Sequence, residues 1–123
     1  MPKTILVVDD SRSVLAVIGT TLKVAGYNVV QASDGQEGLD ILNGDEQVDM
    51  IITDLNMPNM DGMTATKKIR ELGEDKNQIP IIAISGNSKN YTLEDFKNVG
   101  INEYLQKPFD YDELVEIVRK YTS

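Results

Sequence analysis

The stretch Met50-Ile51-Ile52-Thr53-Asp54-Leu55-Asn56-Met57-Pro58-Asn59-Met60-Asp61-Gly62, residues 50–62, decides the fold. Its apolar start, Met50 to Ile52, has the length and branching of a buried strand and runs directly into Asp54. Beyond it, Met63, Thr66 and Ile69 recur at helical spacing before Gly73. The stretch is therefore one strand-then-helix unit with a carboxylate at the strand's end.

The same unit recurs on both sides. Ile5 to Val8, Val29-Val30 with Ala32, and Ile81 to Ile84 are short apolar runs rich in β-branched residues. Tyr104-Leu105 after Ile101 supplies a fifth strand, placed by Gly100, which closes the preceding helix, and by Pro108, which stops the strand from continuing. Between the runs the period changes. Val14, Ile18, Leu22 and Ala25 share one helical face ending at Gly26; Leu39 and Leu42 precede Gly44; Leu93, Phe96 and Val99 precede Gly100. Leu114, Ile117, Val118 and Tyr121 repeat the pattern at the C-terminus. Five strands, each followed by a helix, imply right-handed crossovers and a parallel sheet covered on both faces: a doubly wound α/β fold. The polar segment from Gly73 to Ile79 reads as a surface loop.

The 123 residues suit one domain, 1–123, with a single apolar core. No Cys and no His are present, which excludes disulfides, zinc fingers, thiol nucleophiles and Ser-His pairs. Twelve basic against twenty acidic residues, net charge −8, would repel a phosphate backbone, so direct nucleic-acid binding is not expected. The apolar run after Lys3 is cut by Asp9, too early for a signal peptide or a membrane insertion, so a cytoplasmic location is expected.

In open parallel α/β sheets, ligands bind beyond the carboxyl ends of the strands. Four of those ends carry reactive groups: Asp9 and Asp10 after the first strand, Asp54 after the third, Ser85 after the fourth, and Lys107-Pro108 after the fifth. Carboxylates crowded together repel by about 4 kcal/mol per pair at 4 Å and an effective dielectric near 20, so they protonate or bind a cation. With no His or Cys, the cation is hard and oxygen-seeking. Magnesium fits, because it accepts one or two carboxylates, keeps waters and is completed by phosphate; no EF-hand spacing favours calcium. Read singly, these residues are ordinary helix caps, with Asp10 or Ser11 starting the first helix and Ser33 or Asp34 the second. Capping alone explains all four strand ends together poorly.

Taken jointly, Asp9-Asp10, Asp54 with Met57-Pro58 and Asp61-Gly62, Ser85, and Lys107-Pro108-Phe109 resemble response-regulator receiver domains, and among them the stand-alone, CheY-like members. The resemblance implies a strand order of 2-1-3-4-5. It also implies that Asp54 accepts a phosphoryl group from a partner histidine kinase or His phosphotransfer domain, or from a small acyl phosphate. Asp9, Asp10, Asp54 and the Asn56 carbonyl would then hold Mg2+, while Ser85 and Lys107 contact phosphoryl oxygens. Tyr104 matches the family's aromatic switch, which moves inward as Ser85 turns toward the phosphate, and Lys107-Pro108 matches its cis peptide. Asn56 and Asn87 match two variable positions that tune phosphoryl lifetime.

On this reading the chain is a two-component switch acting on a downstream protein, chemotaxis being one such pathway. It is no enzyme beyond self-catalysed phosphotransfer and autodephosphorylation. Alternatives are a phosphorelay intermediate, a receiver fragment of a larger regulator, and an Asp-nucleophile phosphatase, which usually carries a second Asp where Asn56 stands. A flavodoxin-type carrier would need a glycine- and hydroxyl-rich cradle where Asp9-Asp10-Ser11-Arg12 occurs. A pseudo-receiver would lack part of the acid, hydroxyl and lysine set.

Overall fold

The computed structural model describes residues 2–44, 46–57, 60–72, 74–86 and 91–123, without the side chains of Glu74 and Asp75. Five strands, β1 (Thr4–Val8), β2 (Asn28–Ala32), β3 (Met50–Asp54), β4 (Ile81–Ser85) and β5 (Glu103–Gln106), alternate with five helices. These are α1 (Arg12–Val24), α2 (Gly35–Leu42), α3 (Gly62–Arg70), α4 (Leu93–Val99) and α5 (Tyr111–Thr122). All four strand pairings are parallel, in the order β2-β1-β3-β4-β5.

The apolar runs are continuous because both faces of the central strands are covered, and successive side chains feed opposite layers. Ile5, Val7, Met50, Ile52, Ile82 and Ile84 pack against Leu15, Ile18 and Leu22 of α1 and Leu114 and Val118 of α5. Leu6, Val8, Ile51, Ile81 and Ala83 face the other way, onto Leu39 and Leu42 of α2, Ile69 of α3 and Phe96 of α4. Each fully buried aliphatic side chain contributes about 1.5–3 kcal/mol relative to exposure, so the two layers anchor the strand ends firmly.

The chain winds from β1 outward to β2, then crosses back so that β3 lies on β1's other side. The gap between the carboxyl ends of β1 and β3 is where loops leave in opposite directions, and it opens a crevice.

Three local expectations are corrected. Residues 74–78 form a 3₁₀ turn, Glu74–Gln78, fastened where the Lys76 ammonium donates to the Leu42 carbonyl at the end of α2. Leu93 is 72% exposed, because the Thr92–Asp95 capping box starts α4 there and puts Leu93 in the first turn, on the outer side. On α1 the buried face is Leu15, Ile18, Gly19 and Leu22, with Val14 packed at its edge. Gly26 and Gly100 do close α1 and α4 in left-handed conformations, φ 100° and 97°. At Gly100 a side chain would also strike Arg70, whose Nε lies 2.6 Å from where a Cβ would be. That guanidinium donates to the carbonyls of Gly100, Asn77 and Ile79 and to Asn102 Oδ1, tying the end of α3 to the loops around it.

Candidate functional site

Asp9, Asp10 and Asp54 meet in the crevice, each with a carboxylate oxygen within 4.8 Å of the others'. Asp9 is fully buried and Asp54 is 5% exposed, whereas Asp10 faces solvent. Their helices take other caps. Ser11 accepts from the Val14 amide, Asp34 from Glu37 and Asp61 from Thr64, so no clustered acid is an N-cap. Capping thus leaves the acid cluster unexplained.

Asp9 is held by two contacts. Its Oδ1 accepts from the Ser11 amide at 2.9 Å, and its Oδ2 lies 3.2 Å from Lys107 Nζ. The same ammonium is 3.5 Å from Asp54 Oδ2, while Asp54 Oδ1 accepts from the Asn56 amide at 3.1 Å. Lys107 is placed by its own backbone, whose N–H donates to the Ser85 carbonyl at 2.8 Å, and the peptide linking it to its successor, Lys107–Pro108, is cis. One cation thus faces two buried carboxylates.

This arrangement sets the electrostatics. Burial pushes the Asp54 carboxyl above its ordinary 3.8; the Asn56 amide opposes this, Asp9 adds to it, and Lys107 offsets part. Burial pulls the Lys107 ammonium down, but the Asp54 and Asp9 carboxylates together outweigh it and leave its pKa raised. Among the described residues, Lys107 is the cation paired with this cluster of three acids. An oxygen-only donor set that is part buried and part open to water suits a hard divalent ion that keeps some waters, which is magnesium's preference.

Ser85 is fully buried, and its Oγ accepts from the Asn56 side-chain amide at 2.8 Å. Asn56 therefore touches both neighbours, Asp54 through its backbone and Ser85 through its side chain. Tyr104 stacks its ring on Phe96 of α4, with centroids 4.8 Å apart and planes at 24°, and its hydroxyl is buried with no hydrogen-bond partner among the described residues. Asn87 and Pro58 lie outside the described residues.

Gly62 supports the site and went unassigned in the sequence. A Cβ there would lie 2.3 Å from the Asp54 carbonyl oxygen and 2.9 Å from Leu55 Cα, and its amide donates to the Leu55 carbonyl. Only a glycine lets α3 start against the strand that ends in Asp54. The signal was present in Asp61-Gly62, a helix cap followed by a residue without a side chain.

The chain belongs to the response regulator receiver domain family, which it matches over residues 5–119. It is 37% identical over 116 residues to the CAI-1 autoinducer sensor kinase/phosphatase CqsS of Vibrio cholerae, covering 94% of this chain and 17% of that protein. It is 34% identical to the response regulator MprA of Mycolicibacterium vanbaalenii, covering 97% of this chain and 50% of that protein. The chain thus spans half or less of these curated relatives. Among solved structures it resembles the chemotaxis response regulator CheY4 of Vibrio cholerae, with TM-score 0.86, 31% identity and 98% and 99% of the two chains covered. It also resembles the receiver domain of the sensor histidine kinase PA1611 of Pseudomonas aeruginosa, solved with magnesium coordinated in the active-site cleft: TM-score 0.88, 32% identity, 99% and 98% covered. The protein is a receiver of two-component signalling, a switch with the CheY-like fold.

Proposed function

We propose that Asp54 is the phosphoacceptor, and that the chain takes its phosphoryl group from the phosphohistidine of a partner kinase or phosphotransfer domain. The observation that carries this reading is the Asp54 carboxylate at the end of β3, buried, within 4.8 Å of two other acids and 3.5 Å from Lys107. An Asp54 carboxylate oxygen attacks phosphorus, the bond from phosphorus to the imidazole nitrogen breaks, and the imidazole leaves with its electron pair to be reprotonated. The three equatorial oxygens carry the charge throughout, so the protein's task is positioning and neutralisation.

Asp9, Asp10, Asp54 and the Asn56 carbonyl would hold Mg2+, which supplies the positive charge needed by the acids and the incoming phosphoryl oxygens. Lys107 exchanges its contact with Asp54 for a phosphoryl oxygen while staying close to Asp9. Ser85 donates its hydroxyl proton to another. Hydrolysis of the aspartyl phosphate resets the switch without a separate enzyme activity. The work is cytoplasmic, on a downstream protein; among the described residues no helix is long and apolar enough to cross a membrane.

The test is mass measurement after treatment with acetyl phosphate, with and without magnesium. One phosphoryl group is expected, gained only with the metal and lost in Asp54→Asn. Undiminished labelling of that variant would place the acceptor elsewhere.

A further inference from the structure

The C-terminal end of α2 lies at the opposite end of the sheet from the acid cluster, because α2 runs back from the carboxyl end of β2 to the amino end of β3. It closes on Asn43-Gly44, the one Asn-Gly pair in the sequence. Asn43 is the C-cap, and both residues are exposed. Beside them opens a cavity of about 430 Å³ whose walls include Leu42, Gly44, Val48, Lys76 and Pro80. A Cβ added at Gly44 would first meet the Ile41 carbonyl oxygen, at an ordinary 3.5 Å, so among the described residues nothing crowds that position. The last turn of α2 carries no basic residue; Lys76, from the 3₁₀ turn, takes that place by donating to the Leu42 carbonyl.

We propose that Asn43 is a site of self-modification: it deamidates through attack by the Gly44 backbone nitrogen, at a rate that Lys76 holds down. The Gly44 nitrogen loses its proton to solvent base and bonds to the Asn43 side-chain carbonyl carbon. The bond from that carbon to the amide nitrogen breaks, and the nitrogen leaves as ammonia with a proton returned by water. The product is a five-membered succinimide. Water then opens one of its two carbonyls, leaving aspartate when the new bond breaks and isoaspartate when the original peptide bond breaks. One water is consumed and one ammonia released, with no oxidation or reduction. Glycine is the favoured neighbour because it has no side chain to block the approach and its backbone turns freely.

The folded end of α2 opposes this reaction. Asn43 has ψ −7°, which turns the Gly44 nitrogen away from the Asn43 side chain, and ring closure needs a turn of about 120° about that bond. The Gly44 N–H also donates to the Ile41 carbonyl at 3.1 Å and must let go. Both steps require the last turn of α2 to open locally. Lys76 grips the carbonyl directly before Asn43 and so resists that opening. The product loosens the same end: the new carboxylate adds a negative charge at a helix terminus whose own carbonyls are already negative, and isoaspartate reroutes the main chain just beyond the buried Leu42.

The experiment incubates the whole chain in warm buffer at neutral and mildly alkaline pH, then maps peptides by mass and counts isoaspartate by enzymatic methylation. A gain of about 1 Da is expected on the peptide holding Asn43, in two isomers, ahead of every other asparagine. The rate should rise with pH, because the attacking nitrogen must lose its proton. Gly44→Ala should suppress the gain. Lys76→Met, which keeps an apolar stem and loses the donor, should speed it about three- to tenfold, the worth of one hydrogen bond, without speeding the other asparagines. The modified fraction, separated by its charge, should unfold at lower urea than the parent.

An Asn43 that stays intact through the incubation would overturn the proposal, as would Gly44→Ala reacting at the parent's rate. Acceleration of every asparagine alike in Lys76→Met, or of none, would refute the restraint by Lys76, and a modified fraction as stable as the parent would refute the loosening of α2.

Discussion

Gly62→Ala tests how tightly the fold supports the reacting carboxylate. The added Cβ would lie 2.3 Å from the Asp54 carbonyl oxygen, 2.9 Å from Leu55 Cα and 3.1 Å from the Asp54 carbonyl carbon. An ordinary contact begins near 3.4 Å, so the backbones must separate by roughly 1 Å, and all three neighbours are main chain that no rotamer change can clear. Overpacking of this kind costs about 1–3 kcal/mol, and this contact belongs at the upper end because β3 is held on both sides by β1 and β4. A displacement of about 1 Å at a reacting group can slow a positioned reaction by about a hundredfold. The assay pairs urea denaturation with the rate of labelling by acetyl phosphate. Gly86→Ala is the control, since it also adjoins the site but, among the described residues, its Cβ would meet only Lys107 Cβ, at 4.0 Å. Gly62→Ala should lose stability and about two orders of magnitude in rate, while Gly86→Ala stays near the parent in both. A Gly62→Ala protein as stable and as reactive as the control would refute the claim that this close approach holds Asp54.

Buried polar groups lead to two further outcomes. Tyr104→Phe removes a hydroxyl that is buried without a partner among the described residues but leaves the ring stacked on Phe96, so the variant should gain about 1 kcal/mol in urea denaturation; a loss of that size would show that the hydroxyl has a partner. Asp54→Asn should stabilise the metal-free protein at neutral pH. The Asp54 pKa is raised in the folded state, so ionisation favours unfolding, fully above the folded pKa and not at all below the ordinary 3.8. The variant's advantage should therefore shrink as pH falls through that window, and an advantage that grows on acidification would contradict the assignment.

Much of the architecture was legible because the β-branched runs and the helical spacings between them allow few arrangements. Asp9, Asp54, Ser85 and Lys107 stand out as the polar residues at the carboxyl ends of the runs, a matter of chain direction that needs no coordinates. Leu93 was misplaced on the buried face because periodicity ignores where a helix starts, and the Thr92 cap sets its first turn outward. The segment after Gly73 looked like a plain loop because its polar composition hides the long-range contact from Lys76 to α2.

By itself the sequence determined the alternation of strands and helices, the parallel two-layered sheet, and the four strand ends where acids, hydroxyl and ammonium collect. These arise from local period and direction, which every residue of a run repeats. The tertiary structure alone decided which carboxylates are buried, that one ammonium serves both Asp9 and Asp54, that Asn56 bridges Asp54 and Ser85, and that Tyr104 lies against Phe96. Each is a distance between residues far apart in the chain or a matter of side-chain direction, set by how the layers pack.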